Sequence, residues 1–448
     1  MIKALLFCYS GFSDENANGI TMKNLLSAFP GEAKAEFFCD VQPPDYSAAH
    51  NYFRVTDSQM LKAFLFRKSR HIYRYDSAEP AAAQASCAKK NAPRRIPGWL
   101  KKHKYNFWLK WMREWLWKLS PWGHKALKAW IDDQAADVLV YMVGESLFMD
   151  DLVLKTAKRT GKPLVLYNGE AYRIIDLNTR RGLERAYYKR THRRYEKLNR
   201  AASLVIFNSE MLRQDYAKRY APAGETLVAY NSADCTQPEY RAGDSMNITY
   251  FGNLGVGRVP SLVQVADILR QLPGSPRLDI YGNAQQADQE RFEAHSNIRY
   301  HGFVSAGELE KIVEKSDILL HAESFAPEIL PKLRYAFSTK IAQCLCAGRC
   351  FVSYAPEDMA SSQYLRSQGM AVAHDPAALQ ALLRSLVTSS DLRRENACQA
   401  LALGKKNHKQ ETTAQWVKDK IGEICHEKAA CEYDRKAPQQ GAQSTRKN

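Results

Sequence analysis

The sequence predicts two doubly wound α/β domains that face each other across a cleft. Two observations indicate this fold class. Short apolar runs bounded by turn residues alternate with helical patterns, which is typical of a parallel sheet covered by helices on both faces. This alternation occurs twice, with a linker-like stretch between the two series, and a chain of 448 residues is too long for one ordinary domain.

The first series defines an N-terminal domain over residues 1–235. Its predicted strands are Ile2–Tyr9, Ala35–Cys39, Asp137–Tyr141, Pro163–Tyr167 and Leu204–Phe207. Residues 42 to about 130 are interpreted as a basic, tryptophan-rich insertion, irregular between Gln42 and about Arg95.

The second series defines a C-terminal domain over residues 245–405. Its predicted strands are Asn247–Phe251, Leu278–Tyr281, Ile298–Tyr300, Ile318–Leu320 and Phe351–Ser353. A helix over residues 406–425 is predicted to return to the first domain. Residues 426–448 are polar and basic and are predicted to form a disordered tail.

Charge and cysteine usage limit the possible binding partners and the cellular compartment. The net charge is +16, with 64 Lys and Arg against 48 Asp and Glu, which favours nucleotide phosphates or an acidic membrane surface as partner. No zinc-finger, RNA-recognition or Walker pattern is present, so nucleic acid is not expected. The ten cysteines are scattered, which predicts a reduced, cytoplasmic protein. Cys344, Cys346 and Cys350 match no common zinc spacing, and we expect them to be small buried side chains.

A glycine-rich segment follows the first strand of the second domain. Glycines at such a turn allow a close backbone approach to a ligand, and the next helix offers free N–H groups to phosphate. We therefore predict that Gly252, Asn253, Gly255 and Arg258 bind a phosphate-containing ligand, with Arg258 pairing with a diphosphate. The alternative is a tight turn with a surface arginine.

A second candidate phosphate site is the predicted helix start at Ser338 and Thr339. These residue types cap helix N-termini, and Lys340 adds a formal positive charge beside the helix dipole. An ordinary capped helix explains the same pattern. Gln343, one turn later, is a candidate to hydrogen-bond a ribose hydroxyl.

Two carboxylates follow predicted strands, at the edge where open α/β sheets bind their ligands. Glu170 follows a first-domain strand and is a candidate to act as a base on an acceptor hydroxyl or to hold a sugar hydroxyl. Glu323 holds the corresponding place in the second domain. The alternative for both is a solvated loop carboxylate.

Seven of the eight tryptophans lie between Trp99 and Trp130. Read as a helix, this segment places Trp108 and Trp115 on an apolar face with Trp111 at its border, and Lys110 and Arg113 largely opposite. Such a helix suits the interface of an anionic membrane, and we predict peripheral attachment at the inner face of the cell membrane. The alternative is a helix packed on its own protein.

The order of these motifs resembles the glycosyltransferase group 1 family, also called family four, which has the GT-B fold. The similarity is best from Asn247 to about Leu386. It is carried by the segments Tyr250–Leu254, Leu278–Gly282, Asn297–Phe303 and Ser316–Leu320. Phe337–Ile341 with Leu345–Arg349 resembles the bacterial surface-polysaccharide branch. The resemblance implies that the C-terminal domain binds a nucleotide-sugar donor and that the N-terminal domain binds a glycan or lipid-linked acceptor, in capsule or lipopolysaccharide synthesis. It also implies no required metal or other cofactor.

The chain departs from the family at two places. The family commonly has an Arg and a Lys five residues apart after the first strand of the second domain, and these positions are Asn253 and Arg258 here. The family's Glu-x7-Glu pair falls at Tyr335 and Gln343, and neither is acidic. Glu323 is therefore a candidate replacement for the missing carboxylate. A nucleotide-sugar epimerase of the same fold and a non-catalytic, transferase-like scaffold remain the alternative functions.

Overall fold

The structure, a computed structural model, describes residues 1–66, 73–76, 107–120, 124–235 and 246–436. Much of the predicted insertion, residues 67–72, 77–106 and 121–123, lies outside the described residues, as does the part of the predicted tail at 437–448. The described chain forms two separate sheets with helices on both faces. Two doubly wound α/β domains are therefore confirmed.

The first domain contains an eight-stranded sheet in the order β4-β3-β2-β1-β5-β6-β7-β8. Neighbouring strands are parallel except β3 and β4, which are antiparallel. The strands are β1 Ala4–Phe7, β2 Lys34–Phe38, β3 Asn51–Arg54, β4 Tyr73–Asp76, β5 Val138–Met142, β6 Leu164–Asn168, β7 Leu204–Phe207 and β8 Glu225–Val228. The helices are α1 Ala17–Leu25, α2 Asp57–Phe66, α3 Phe107–Leu119, α4 His124–Asp133, α5 Leu147–Thr160, α6 Gly182–Ala201 and α7 Glu210–Arg219.

The prediction that the chain is irregular from Gln42 to about Arg95 is wrong for β3, α2 and β4. Strand β3 pairs in parallel with β2, with Phe37 opposite Phe53, and Tyr52 and Phe53 are completely buried. This strand has only four residues, so its periodicity is too short to distinguish it from a loop. Burial against its neighbours stabilises it.

The second domain contains a six-stranded parallel sheet in the order β11-β10-β9-β12-β13-β14. Its strands are β9 Ile248–Phe251, β10 Leu278–Tyr281, β11 Ile298–Gly302, β12 Ile318–Ala322, β13 Cys350–Tyr354 and β14 Val372–Ala373. Its helices are α8 Arg258–Arg270, α9 Gln286–Glu293, α10 Ala306–Glu314, α11 Leu330–Leu333, α12 Thr339–Cys346, α13 Ala360–Ser367, α14 Pro376–Thr388 and α15 Ser390–Asn407. Strands β9 and β12 are adjacent, and the order reverses between them, which places a ligand crevice at their carboxyl ends.

The last helix, α16 Gln410–Lys436, lies on the first domain. Val417, Ile421 and Ile424 pack into the same core cluster as strands β1 and β5. The helix continues twelve residues beyond Ile424, so the prediction of disorder from residue 426 is wrong for residues 426–436. Polar composition did not prevent the helix because its preceding turns are anchored in a core.

The junction between the domains contains a disulfide. Cys235 at the end of the first domain is bonded to Cys346 of α12, and their Cα atoms lie 4.5 Å apart. All three clustered cysteines are buried, as predicted. Cys344 and Cys350 are free thiols, but the expectation that the cysteines are reduced is wrong for Cys346 and Cys235. Cysteine spacing along the chain could not indicate this pair, because 111 residues separate the two.

A buried ion pair fixes the interior of the first domain. Arg173 donates to the Asp150 carboxylate at 2.9 Å, and both side chains are completely inaccessible to solvent. The Tyr141 hydroxyl donates to the same carboxylate at 2.8 Å, and the Gly144 carbonyl accepts from Arg173 at 2.6 Å. This network connects β5, α5 and the loop after β6.

We expect Asp150→Asn to lower the free energy of unfolding by about 3–5 kcal/mol, because it leaves the Arg173 charge buried and unpaired. The matched control is Asp132→Asn, which breaks the largely exposed pair with Arg159 and should cost less than about 1 kcal/mol. Urea denaturation measures both. Equal losses for the two variants would contradict the assignment.

Candidate active site

The glycine turn after β9 is shaped by close contacts. Gly252 has φ +113°, and a Cβ there would lie 2.6 Å from Cδ of Lys340. Gly257, at φ +71°, has equally little room, since a Cβ would lie 2.7 Å from the Ser324 hydroxyl. Both positions therefore require glycine. The structure brings together the two predicted phosphate sites, which are 88 residues apart in sequence.

Arg258, the first residue of α8, pairs with Glu323 rather than pointing to solvent. Its Nε and one terminal nitrogen donate to the two carboxylate oxygens at 2.8 and 2.9 Å. The other terminal nitrogen lies 3.4 and 3.3 Å from the carbonyls of Asn253 and Gly255. Arg258 therefore holds the backbone of the glycine turn.

This pairing corrects the prediction for Glu323. Glu323 is 1% exposed, and both of its carboxylate oxygens accept from Arg258. It is therefore the counter-ion of the arginine and is not open to a substrate. Burial alone would raise the pKa of Glu323, but the neighbouring His321 and Arg258 lower it below its ordinary value. The predicted direct contact between Arg258 and a diphosphate would require this ion pair to open.

Lys340 is the cation that faces the glycine turn. It lies in the first turn of α12, where the Ser338 side chain caps the helix by accepting from the Lys340 backbone N–H. Its Nζ donates to the Tyr250 hydroxyl at 2.9 Å and lies 4.5 Å from the centre of that ring. Burial, and secondarily the positive charge of Arg258, lowers the pKa of Lys340 to about 7.

Sequence reasoning missed two buried residues of this site. Tyr250, within β9, accepts from Lys340 and donates to the Asn253 carbonyl at 2.8 Å, so it joins the lysine to the glycine turn. His321, within β12, is completely buried and neither ring nitrogen has a hydrogen-bond partner among the described residues. Its Nε2 lies 3.6 Å from Glu323, and burial lowers its pKa to about 4. For Tyr250 and His321 alike, the sequence offered one indication, a polar side chain inside an apolar strand.

The remaining predicted donor residues lie at the rim of this site. Asn253 and Gly255 are exposed, and the Asn253 side chain accepts from the Gly255 backbone N–H at 2.8 Å. Thr339 is half-buried at the start of α12, and Gln343 is exposed one turn after Lys340. They are positioned to meet a ligand that covers the turn.

Glu170 lies in the first domain, two residues after β6. Its side chain is half-buried, and among the described residues its carboxylate has no hydrogen-bond or ion-pair partner. Burial raises its pKa from 4.5 to about 7. The Tyr216 hydroxyl of α7 fixes the loop by donating to the Glu170 carbonyl at 3.0 Å. Such a carboxylate can exchange protons near neutral pH.

Helix α3 exposes its aromatic side. Together with neighbouring α2 it forms what we call the aromatic surface, which consists of Leu61, Phe64, Leu65, Phe66, Trp108, Trp111, Met112, Trp115 and Leu119, all of them exposed. Trp117 alone among the tryptophans of α3 is buried, and its indole N–H donates to Asp57. No helix in the described part of the chain is long and apolar enough to cross a bilayer.

The polar side of α3 faces the protein, which corrects the prediction for two cations. Lys110 pairs with Glu145 at 2.8 Å, and Arg113 pairs with Asp57 at 2.9 Å. The guanidinium of Arg113 also lies over the ring of Tyr9, just beyond β1. Neither cation is available to a lipid headgroup. A helical wheel gives the two faces of a helix but not which of them the protein covers.

Within the described ranges, no group of three or more His, Cys, Asp or Glu side chains is arranged to hold a metal ion. The expectation that the reaction needs no metal stays a prediction.

Comparisons with known proteins identify the class. Residues 262–419 match a family model described as glycosyl transferase-like. The match includes Glu323 and the segment Ser338–Gln343 but begins after Arg258. No curated protein sequence matches the chain significantly.

Solved structures share the fold over almost the whole chain. The Anabaena protein HepE in complex with UDP covers 94% of this chain and 100% of its own, with a TM-score of 0.59 at 13% identity. Sucrose-phosphate synthase from Thermosynechococcus elongatus covers 96% and 100%, with a TM-score of 0.59 at 12% identity. Trehalose 6-phosphate synthase from Burkholderia multivorans covers 99% and 100%, with a TM-score of 0.57 at 11% identity.

These findings show that the chain has the fold of the GT-B glycosyltransferases and that residues 262–419 are similar to a glycosyl transferase-like family. This segment covers most of the second domain, where the sequence motifs resemble the glycosyltransferase group 1 family.

We expect binding of a nucleoside diphosphate to take up a proton through Lys340. A bound diphosphate raises the lysine pKa from about 7, so at pH 8 about 0.9 proton should be taken up, and at pH 6 about 0.1. Calorimetry in two buffers of different ionisation enthalpy measures this number. Lys340→Arg should bind without uptake, and Lys332→Arg should behave as wild type. Absence of uptake by the wild-type protein at pH 8 would contradict the prediction.

Proposed function

We propose that this protein transfers a sugar from a nucleoside diphosphate sugar to a hydroxyl of a glycan or lipid-linked glycan, in the synthesis of a cell-surface polysaccharide such as capsule or lipopolysaccharide. The observation that carries the proposal is the contact between Lys340 and the Gly252 turn. It combines a cation, a helix N-terminus and glycine backbone at the crevice where α/β sheets bind nucleotides.

The proposed diphosphate lies over the Gly252 turn and the start of α12. Lys340 and the Ser338–Thr339 backbone N–H groups stabilise its charge, which grows as the sugar leaves. Gln343 hydrogen-bonds a ribose hydroxyl. The UDP and UDP-glucose complexes of HepE support a nucleotide-sugar donor and make UDP the first probe to use.

In the proposed reaction the acceptor hydroxyl oxygen bonds to the anomeric carbon as the bond from that carbon to the diphosphate oxygen breaks. The electron pair of the broken bond goes to the diphosphate. The acceptor proton leaves to Glu170, whose pKa of about 7 suits a base at neutral pH.

We expect Glu170→Gln to lower kcat by about 10²–10⁴-fold, because the general base is lost, while donor affinity changes little. In the wild-type protein kcat/KM should fall as pH drops below about 7, since the raised pKa leaves Glu170 protonated there. Transfer from labelled UDP-sugars to a lipid-linked glycan fraction measures this, with Glu32→Gln as the exposed control. Full activity of Glu170→Gln would exclude it as the base. Sugar isomerisation without transfer would indicate the epimerase alternative.

We further propose that the aromatic surface attaches the enzyme to the inner face of the cell membrane. Tryptophan and leucine side chains exposed together suit the headgroup boundary. Lys110 and Arg113 are already in ion pairs with acidic residues of the protein. We therefore assign the contact with anionic headgroups to the cations of α6. This helix contacts α3 through Tyr187 and Phe107. It exposes several cations that form no ion pair among the described residues: Arg185, Lys189, Arg190, Arg193 and Lys197.

We expect the triple variant Trp108→Ala, Trp111→Ala, Trp115→Ala to lose binding to vesicles containing anionic phospholipid. Wild-type binding should weaken with salt, because headgroup attraction is screened. Co-sedimentation with vesicles measures both effects. Trp416→Ala is the matched control, since Trp416 and Trp111 are each 38% exposed. Unchanged vesicle affinity of the triple variant would rule out this surface.

A further inference from the structure

One segment of the second domain, residues 334–337, is hydrogen-bonded to the first domain at two points. The Tyr335 hydroxyl donates to the Asp215 carboxylate of α7 at 2.8 Å, and its ring packs against the first-domain core. Two residues later, the Phe337 carbonyl accepts from the Asn231 side chain at 2.6 Å. The next residue, Ser338, caps the helix that carries Lys340.

Helix α7 contacts both halves of the proposed site through consecutive residues. Asp215 accepts from Tyr335 of the second domain, while the Tyr216 hydroxyl donates to the carbonyl of Glu170. A rigid helix therefore connects the loop of the proposed base to the segment that leads into the donor helix.

The charges around Asp215 favour this hydrogen bond. Burial alone would raise the pKa of Asp215, but hydrogen bonds from Lys218 and Tyr335 lower it, so the carboxylate is ionised and accepts strongly. Arg334 adds a second cation, 4.0 Å from the carboxylate. A tyrosine donating to an ionised aspartate forms a directional link that a merely apolar contact would not provide.

We propose that Tyr335 and Asp215 are positioning residues that fix the distance between the Glu170 loop and the donor helix. Neither needs to touch the substrate. This inference rests on the proposed function for its effect on catalysis, whereas its structural part, the arrangement of the two domains, is independent of that function.

The test uses Tyr335→Phe, Asp215→Asn and the double variant, with Tyr188→Phe as a tyrosine control outside this link. Each single variant should weaken UDP binding and lower kcat/KM by about tenfold, the value of one hydrogen bond to a charged group. The double variant should be no worse than Tyr335→Phe, because Asp215→Asn acts on the same hydrogen bond by removing the charge of its acceptor. Small-angle X-ray scattering should show a larger radius of gyration for all three variants and no change for Tyr188→Phe.

Additive losses in the double variant, or an unchanged radius of gyration in the single ones, would overturn the inference. An unfolded Asp215→Asn protein would leave Tyr335→Phe, which removes one oxygen atom, to decide it. If the wild-type protein binds no nucleoside diphosphate, the proposed function and the positioning role both fail. The scattering comparison would then still decide whether the link sets the domain arrangement.

Discussion

The buried pair of Arg258 and Glu323 is the interaction on which the proposed donor site depends. Taking both charges out of water costs several kcal/mol per ion in general, and only matched hydrogen bonds offset that cost. Here the bonds are bidentate, and the remaining guanidinium nitrogen reaches two carbonyls of the glycine turn. The ion pair therefore determines the shape of the turn as well as its charge.

Burial is the main cause of the lowered pKa of Lys340. The Arg258 guanidinium lowers this pKa further, the Glu323 carboxylate opposes that effect, and the resulting pKa is about 7. The site thus holds a lysine poised between its charged and neutral forms. In the proposed complex a diphosphate places negative charge beside Lys340 and favours the charged form of the lysine.

The sequence predicted the fold well because its main evidence, apolar strands alternating with helices, is repeated many times. It also brought Gly252, Arg258 and Lys340 together correctly, since the carboxyl ends of adjacent parallel strands meet at one edge. It failed for interactions between distant residues. No local pattern could show that Arg258 pairs with Glu323, that α3 turns Arg113 inward to Asp57, or that a four-residue strand at Asn51 completes the sheet.

The tyrosine at position 335, where the family pattern has an acidic residue, gains a physical explanation from the domain arrangement. Tyr335 donates a hydrogen bond to the ionised Asp215. A carboxylate at position 335 would place a second negative charge near Asp215, and the two like charges would repel. Tyrosine provides a donor and an apolar ring for the first-domain core. The departure from the family pattern at this position is therefore consistent with a junction built on an aspartate of the opposite domain. It does not by itself indicate a loss of catalysis, because Glu170, on the acceptor side, keeps an unpaired carboxylate with a raised pKa.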